Sequence, residues 1–438
     1  MRWLYLFLFL GAISLSTNLN SQTNSFSKGK WGKIATTKQG IYQLTGNQIK
    51  QMGFSLPIKS ATLQIWGFDY ALLTEKVKRS ILGNTELAIQ VLDGGDGQLD
   101  ESDKCIFYSA GPILWEYDST ANSWTHVKNT TQDTSYYFIT IGAQGKRILT
   151  DASTNATSVP VQQYQSHILI ETDSINILNS GKQWLGAPMG LGQGKITTLS
   201  YPIDLTGLVP NAPIHFNGRY LASSFNTEGI FEIQFNDSKI RTVQVAPVSG
   251  LVYDATAKSV IDSFNFSSAV QPPNNIVKLG YSGSANSTGW LDYIELHPWL
   301  NLSFNSNRSF AFNFVNAGSS NQTVQYQIQN ADSSTLIWDV TNIFEPIAYK
   351  GTYQDKAYTF SALEKKRQSF YALKQDAFES VFLLDTVANQ DLQSMGQVDY
   401  LILAPSAFAS ASKKLQQFHQ DYHGLKVAVV DPVQIYNE

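Results

Sequence analysis

Apolar and polar residues alternate with a period of two along most of this chain. In Ala61-Thr62-Leu63-Gln64-Ile65-Trp66-Gly67 the aliphatic side chains fall on one face, and Phe231, Ile233 and Phe235 do the same in the stretch 229–235. Such alternation marks half-buried strands. Similar runs occupy 31–35, 40–44, 88–92, 104–109 and 136–141 in the first third of the chain. Beyond it, runs at 214–220, 290–296, 308–314, 326–328, 336–340, 358–360 and 369–373 are separated by Gly, Asn and Pro. Regular short strands between turn signals predict antiparallel sandwich-like modules. The runs 31–35 and 40–44 read as a hairpin across a Thr/Lys/Gln turn, and 46–52 reads as a short helix.

The pattern breaks near 390–397 and then changes character. Residues 398–405 read as a buried strand, 409–423 as a helix, and 426–431 as the next strand. A strand, a helix and a parallel strand open an α/β domain. Such a unit cannot cover both faces of its own sheet. The fold expectation is therefore mainly β, with antiparallel sandwich-like modules followed by the truncated start of an α/β domain. The expected division is 1–21 as a targeting segment, 22–150 as a first β-rich module, 151–163 as a Ser/Thr/Asn/Gln-rich linker or loop, 164–395 as a sandwich-like region, and 396–438 as the α/β start.

Composition sharpens the class. Of 438 residues, 43% are hydrophobic, which supplies real cores, while only 15% are charged. The net charge of -4 offers no cationic stripe for phosphates and argues against a nucleic-acid partner. At the N-terminus, Arg2, the apolar core 4–13 and the small polar residues after it have the form of an export signal, with cleavage near Ser21-Gln22. The apolar core is too short to span a bilayer as a helix. Cys105 is the single cysteine, so no intrachain disulfide framework exists. It lies in a strand run with its side chain toward the apolar face, a buried thiol rather than a nucleophile.

Candidate chemistry is sparse. Asp93, Asp96, Asp100 and Asp103 sit in a Gly-rich acidic stretch whose carboxylates offer hard oxygen ligands for calcium. The EF-hand register fails, because placing Gly97 at the glycine position puts Leu92 at the first ligand. The other reading is an ordinary acidic hairpin loop. No other cofactor is implied. His167, Glu171 and Asp173 share one face of an extended segment, as zinc ligands or as a polar network at the module junction. His419 and His423 lie one helical turn apart, but Gln420 stands where a zinc peptidase carries its glutamate, so they read as helix-surface residues. Trp115 and Trp184 suit either a sugar platform or hairpin packing. No phosphate loop, nucleophile elbow or catalytic triad is present in the sequence pattern.

Several strings, in their order along the chain, resemble a known family. They include Gly40-Ile41-Tyr42-Gln43-Leu44, Asp96-Gly97-Gln98-Leu99-Asp100 and Ile106-Phe107-Tyr108-Ser109-Ala110-Gly111-Pro112. Glu171-Thr172-Asp173, Ser180-Gly181-Lys182, Trp184-Leu185-Gly186, Gly289-Trp290-Leu291-Asp292-Tyr293, Trp338-Asp339-Val340-Thr341 and Asp399-Tyr400-Leu401-Ile402 continue the series. Together they resemble the N-terminal region of the type IX secretion system sortases, gingipain-like C-terminal signal peptidases of peptidase family C25. Lys182 and Leu185-Gly186-Ala187 depart from the family pattern. The resemblance implies a caspase-like domain beginning near 396, with its catalytic cysteine and histidine beyond Glu438. It also implies an outer-surface location, cargo proteins and outer-membrane secretion components as partners, and a lipopolysaccharide anchor for the processed cargo. None of the residues here matches a catalytic motif, so no catalytic residue is assigned and the chain itself is expected to be inert. The alternative is a noncatalytic extracellular binding or adhesin-like protein.

Overall fold

The computed structural model describes residues 25–68, 84–120, 122–130, 132–152, 159–251, 253–268, 274–305, 307–315, 322–374 and 376–438. The expected targeting segment lies outside the described residues. The chain forms two compact units, the larger made of Lys30–Val77 and Thr85–Val387 and the smaller containing Ala388–Glu438.

The larger unit is built almost entirely of antiparallel sheets, as the alternation predicts. In its first layer pair, one sheet holds Trp31–Thr36, Ser135–Ile141, Leu63–Gly67, Thr85–Leu87 and Phe382–Val387. The facing sheet holds Gly40–Thr45, Lys104–Ser109, Gln90–Leu92 and the two-residue strand Glu379–Ser380. Their inner faces share Ile34, Leu44, Cys105, Phe107, Tyr137 and Ile139. Phe107 and Tyr137 meet edge-on across the layers, with ring centroids 5.2 Å apart. Burying each such aromatic contributes about 2 kcal/mol.

The runs 31–35 and 40–44 do not make the expected hairpin. Trp31–Thr36 pairs with Ser135–Ile141 and Phe382–Val387, whereas Gly40–Thr45 pairs with Lys104–Ser109. The chain turns a corner between sheets at 37–39. Thr36 Oγ1 and Ser109 Oγ, both buried, are hydrogen-bonded at 2.8 Å across that corner. Local alternation reports which face is buried but not which strand is the neighbour.

Two further sandwiches follow. One packs Ile168–Glu171, Thr288–His297, Ile214–Ser223 and Lys258–Phe266 against Thr198–Ile203, Asn275–Ser282, Gly229–Phe235 and Ser238–Val245. The other packs a seven-stranded sheet, including Gln163–Gln165, Ser309–Val315, Arg367–Leu373 and Leu336–Asp339, against Thr323–Ile328, Ala357–Leu363 and Thr352–Gln354. The sheets do not follow the sequence order of the modules. Leu149–Asp151 lies parallel to Ile347–Tyr349, and Phe382–Val387 closes the first sheet.

A short helix, Gly46–Gln51, starts with a capping box: Thr45 accepts from the Gln48 amide while the Gln48 side chain accepts from the Thr45 amide. Gly46 is required there by close approach, since a Cβ would lie 1.7 Å from the Asp100 carbonyl oxygen.

In the smaller unit, Tyr400–Leu403 pairs in parallel with Val427–Val430 through helix Ala409–His423, as the sequence predicts. Gly424, at φ 64°, ends that helix in the left-handed conformation. Asp431 caps the next helix, Pro432–Asn437, and also accepts from the Ser406 amide at 2.8 Å. Leu401, Leu403, Phe418, Tyr422 and Tyr436 remain exposed. No helix among the described residues is long and apolar enough to cross a membrane.

A two-stranded sheet with exposed apolar side chains opens at low free-energy cost. In native-state hydrogen exchange, amides 401–403 should exchange at least tenfold faster than those of 277–281 in the central sandwich. Equal protection of the two segments would refute this.

Candidate functional site

A dense polar constellation of the larger unit lies where a hairpin meets the middle sandwich. Ile113–Asp118 and Ser123–Lys128 pair with each other in perfect antiparallel register from Ile113↔Lys128 to Asp118↔Ser123. Alternation along the second strand puts Trp124, His126 and Lys128 on one side. That side faces Ile168–Glu171, Ile214–Ser223 and Thr288–His297.

Glu295 is the anchor. Its side chain is fully buried. Oε1 accepts from the His126 amide at 2.7 Å, from His126 Nδ1 at 2.7 Å and from Thr125 Oγ1 at 3.3 Å. Oε2 accepts from Asn217 Nδ2 at 2.5 Å. Burial alone would raise this carboxyl group's pKa, but the donors from His126 and Asn217 prevail and hold it below the usual range.

On one flank, His167 and His297 join through their Nδ1 atoms at 2.8 Å, an arrangement that needs one bare nitrogen. Trp115 and Trp124 cover His167, with ring centroids at 5.0 and 4.8 Å. Burial pushes His297 down to about 4, and burial with the facing His297 ring pushes His167 well below its ordinary value. On the other flank, Lys128 Nζ contacts Asp173 at 2.5 Å and Glu171 at 3.1 Å, while Arg219 Nη1 donates to Asp292 at 2.8 Å. Burial raises the Glu171 and Asp292 carboxyl groups despite these cations.

The sequence-expected trio is therefore divided. Glu171 and Asp173 meet at Lys128, whereas His167 turns toward His297. The polar junction network is the arrangement observed, and among the described residues no group of three or more His, Cys, Asp or Glu is arranged to hold a metal ion. His126, Glu295 and His297 were not picked out as site residues by sequence reasoning. The alternation of Trp124, His126 and Lys128 was a usable signal, but Glu295 lay 169 positions from its partner.

The acidic stretch forms the connection between Gln90–Leu92 and Lys104–Ser109, with Gln98–Leu99 pairing to Ile58–Lys59. Its carboxylates serve the local backbone. Asp93 accepts from the Gly95 amide, Asp96 from Gln98, Asp100 from Ser102, and Asp103 from Asp100, at 2.8–3.0 Å. Hydrogen bonds from Ser60 and Gly95 lower Asp93, and those from Ser102 lower Asp100. Cys105 is fully buried, and desolvation raises its thiol to about 12. Trp115 packs against the junction histidines, whereas Trp184 is partly exposed. His419 lies half-buried and His423 exposed on the helix of the smaller unit.

Residues 393–438 match the family model described as peptidase family C25. No curated protein sequence matches the chain. Among solved structures, that of dimeric latent PorU from Porphyromonas gingivalis superposes with a TM-score of 0.80 at 20% identity, covering 95% of this chain and 38% of that one. The insecticidal δ-endotoxin Cry8Ea1 from Bacillus thuringiensis has a TM-score of 0.20 at 11% identity, covering 62% and 54% of the two chains. The cycloalternan-forming enzyme from Listeria monocytogenes likewise scores 0.20 at 11% identity, covering 63% and 20%. Values that low carry no argument.

Two outcomes follow from the geometry. Between pH 6.5 and about 4, the unfolded chain takes up protons that His297 refuses in the fold, so this histidine makes stability fall as pH falls. The full effect is on the order of 3 kcal/mol. Glu171 and Asp292, with raised values, act in the opposite sense. Denaturant midpoints measured across this window should therefore show a shallower acid loss in His297→Gln than in the native chain, and an unchanged slope would contradict the assignment. In the acidic loop the carboxylates already have backbone donors, so millimolar calcium should leave the thermal midpoint within about 1 °C of that in chelator. A calcium-dependent rise abolished by Asp96→Asn would show a bound ion.

The chain thus has the fold of a portion of PorU, and at residue 393 it enters the sequence pattern of the C25 peptidases.

Proposed function

We propose that this chain is the accessory N-terminal part of an exported C25-type cysteine peptidase or sortase. One observation carries the reading: the only α/β element among the described residues, Tyr400–Leu403 through Val427–Val430, coincides with the C25 match and leaves Leu401 and Leu403 exposed. A parallel sheet needs cover on both faces and further strands at its edges. The remainder of a peptidase domain supplies both.

In such an enzyme a thiolate attacks a peptide carbonyl and a histidine carries the proton. The acyl-enzyme then passes to water or to an amine, which separates peptidase from transpeptidase. On this reading the substrates are secreted cargo proteins from which a C-terminal signal is removed, and a lipopolysaccharide anchor accepts the cargo. The partners are outer-membrane components of the type IX system. The export signal at 1–21 supports a location at the outer surface. The β-rich unit positions cargo and carries no part of the chemistry. Cys105 fits that division, because a thiol raised to about 12 holds almost no thiolate at neutral pH.

The chain as given should hydrolyse no peptide and should not be labelled by a thiol-directed activity probe in its native state. After denaturation the probe should label it stoichiometrically at Cys105. Turnover by the native chain that disappears in Cys105→Ser would overturn this reading and place a cysteine enzyme inside the β-rich unit.

A further inference from the structure

On the Lys128 side of the junction, the larger unit contains an open cleft of about 350 Å³. Its floor is formed by the paired charges already described: Lys128 with Glu171 and Asp173, and Arg219 with Asp292. The loop between Ile168–Glu171 and Thr198–Ile203 brings Gln183 and Trp184 to the same cleft. Two polar atoms in the lining are buried without a hydrogen-bond partner, Glu171 Oε2 and Gln183 Nε2. The His126 Nε2 atom closest to Glu171 Oε2 stands at 3.6 Å, beyond bonding distance. Unpaired buried polar atoms are costly and call for a partner.

The unmet needs define the ligand. Glu171 Oε2 lacks a donor and Gln183 Nε2 lacks an acceptor. Lys182 also lines the cleft, so three cations face three carboxylates and the cleft has no surplus that selects an ion. Trp184 is 38% exposed, and its Nε1 is occupied by the Gly181 carbonyl at 3.3 Å, which fixes the indole and leaves apolar ring surface available. A neutral group that donates and accepts at neighbouring positions, and that has an apolar flank to lay on an indole, meets all three conditions. A pyranose ring does so: each hydroxyl both donates and accepts, and its axial C–H face is apolar. Planar carboxylate, amide and guanidinium groups at fixed spacing suit adjacent hydroxyls. We propose that this cleft is a carbohydrate-binding site, with Trp184 as the stacking platform, Glu171 and Gln183 as the hydroxyl partners, and the Lys128 and Arg219 pairs as the groups that hold the carboxylates in place. The site belongs to the β-rich unit, and the proposal stands independently of the peptidase reading.

The purified chain should be applied to a printed array of neutral and acidic oligosaccharides beside an array of capped random hexapeptides, and the tightest glycan should then be titrated by calorimetry. Binding to a glycan subset is expected. Trp184→Ala should weaken it about tenfold or more, and Gln183→Leu severalfold, with thermal midpoints unchanged. Trp184→Phe, which keeps an aromatic face, should recover most of the affinity. Binding to no glycan, glycan binding indifferent to both Trp184→Ala and Gln183→Leu, or preference for capped peptides would overturn the assignment. Peptide preference would instead make the cleft a polypeptide site.

Discussion

A fully buried carboxylate is costly in any fold unless each oxygen is met, and Glu295 is met by donors from two other segments of chain. His126 and Thr125 come from the hairpin, Asn217 from a neighbouring strand, and Glu295 itself from Thr288–His297. Leaving such a charge uncompensated costs several kcal/mol, on the order of the stability of a whole domain. The hairpin is a two-stranded sheet of its own, and isolated hairpins are marginal in water. Glu295 is what makes its position definite. The Lys128 ion pairs and the packing of Trp115 and Trp124 over His167 both follow from that one docking.

The same logic of distant partners runs through the larger unit. Trp31–Thr36 takes Phe382–Val387 as a neighbour, so the first sheet is complete only when the chain has passed through both later sandwiches. Val381 and Leu383 accordingly contribute to the core around Phe107 and Tyr137. Contacts of such sequence separation are made late and at high loop-closure cost, which favours slow, cooperative folding of residues 30–387. Sequence modules drawn from composition and linkers describe the order of synthesis. Sheet membership follows the hydrogen bonds instead.

The strands were legible because each carries its own signal. Phe231, Ile233 and Phe235 alternate in sequence and are all buried in the structure, and the apolar runs of the α/β unit gave its strand, helix and strand in order. Pairing was not legible, since two strands with the same alternation are interchangeable to a local reading. The 31–35 and 40–44 runs show this: proximity in sequence suggested a hairpin, and the buried Thr36–Ser109 bond turns the corner instead. The candidate site was half legible for the same reason. Glu171 and Asp173 fall on one face of one segment, but Lys128, Arg219 and Asp292 reach them only through tertiary pairing. His167 meets the same side of the hairpin as Glu171, but four residues of extended chain set the two about 13 Å apart, so His167 lies under Trp124 beside His297 while Glu171 reaches Lys128.

The two units also differ in what their polar residues are for. In the larger unit Glu295 serves docking, the carboxylates of Asp93 to Asp103 serve turns, and Cys105 serves packing. A nucleophile needs the reverse, an accessible group whose charged form the surroundings favour. Burial that lifts Cys105 to about 12 removes it from that role more firmly than any missing partner would. The smaller unit has the opposite character, with Leu401 and Leu403 exposed on its first strand and helix termini capped by Asp431 and Gly424. In parallel α/β sheets the carboxyl ends of the strands are where ligands and reacting groups gather. Leu403 and Val430 end side by side in that position. On the proposed reading, chemistry belongs to the α/β side and recognition to the β-rich unit, where the cleft lined by Glu171, Gln183 and Trp184 lies.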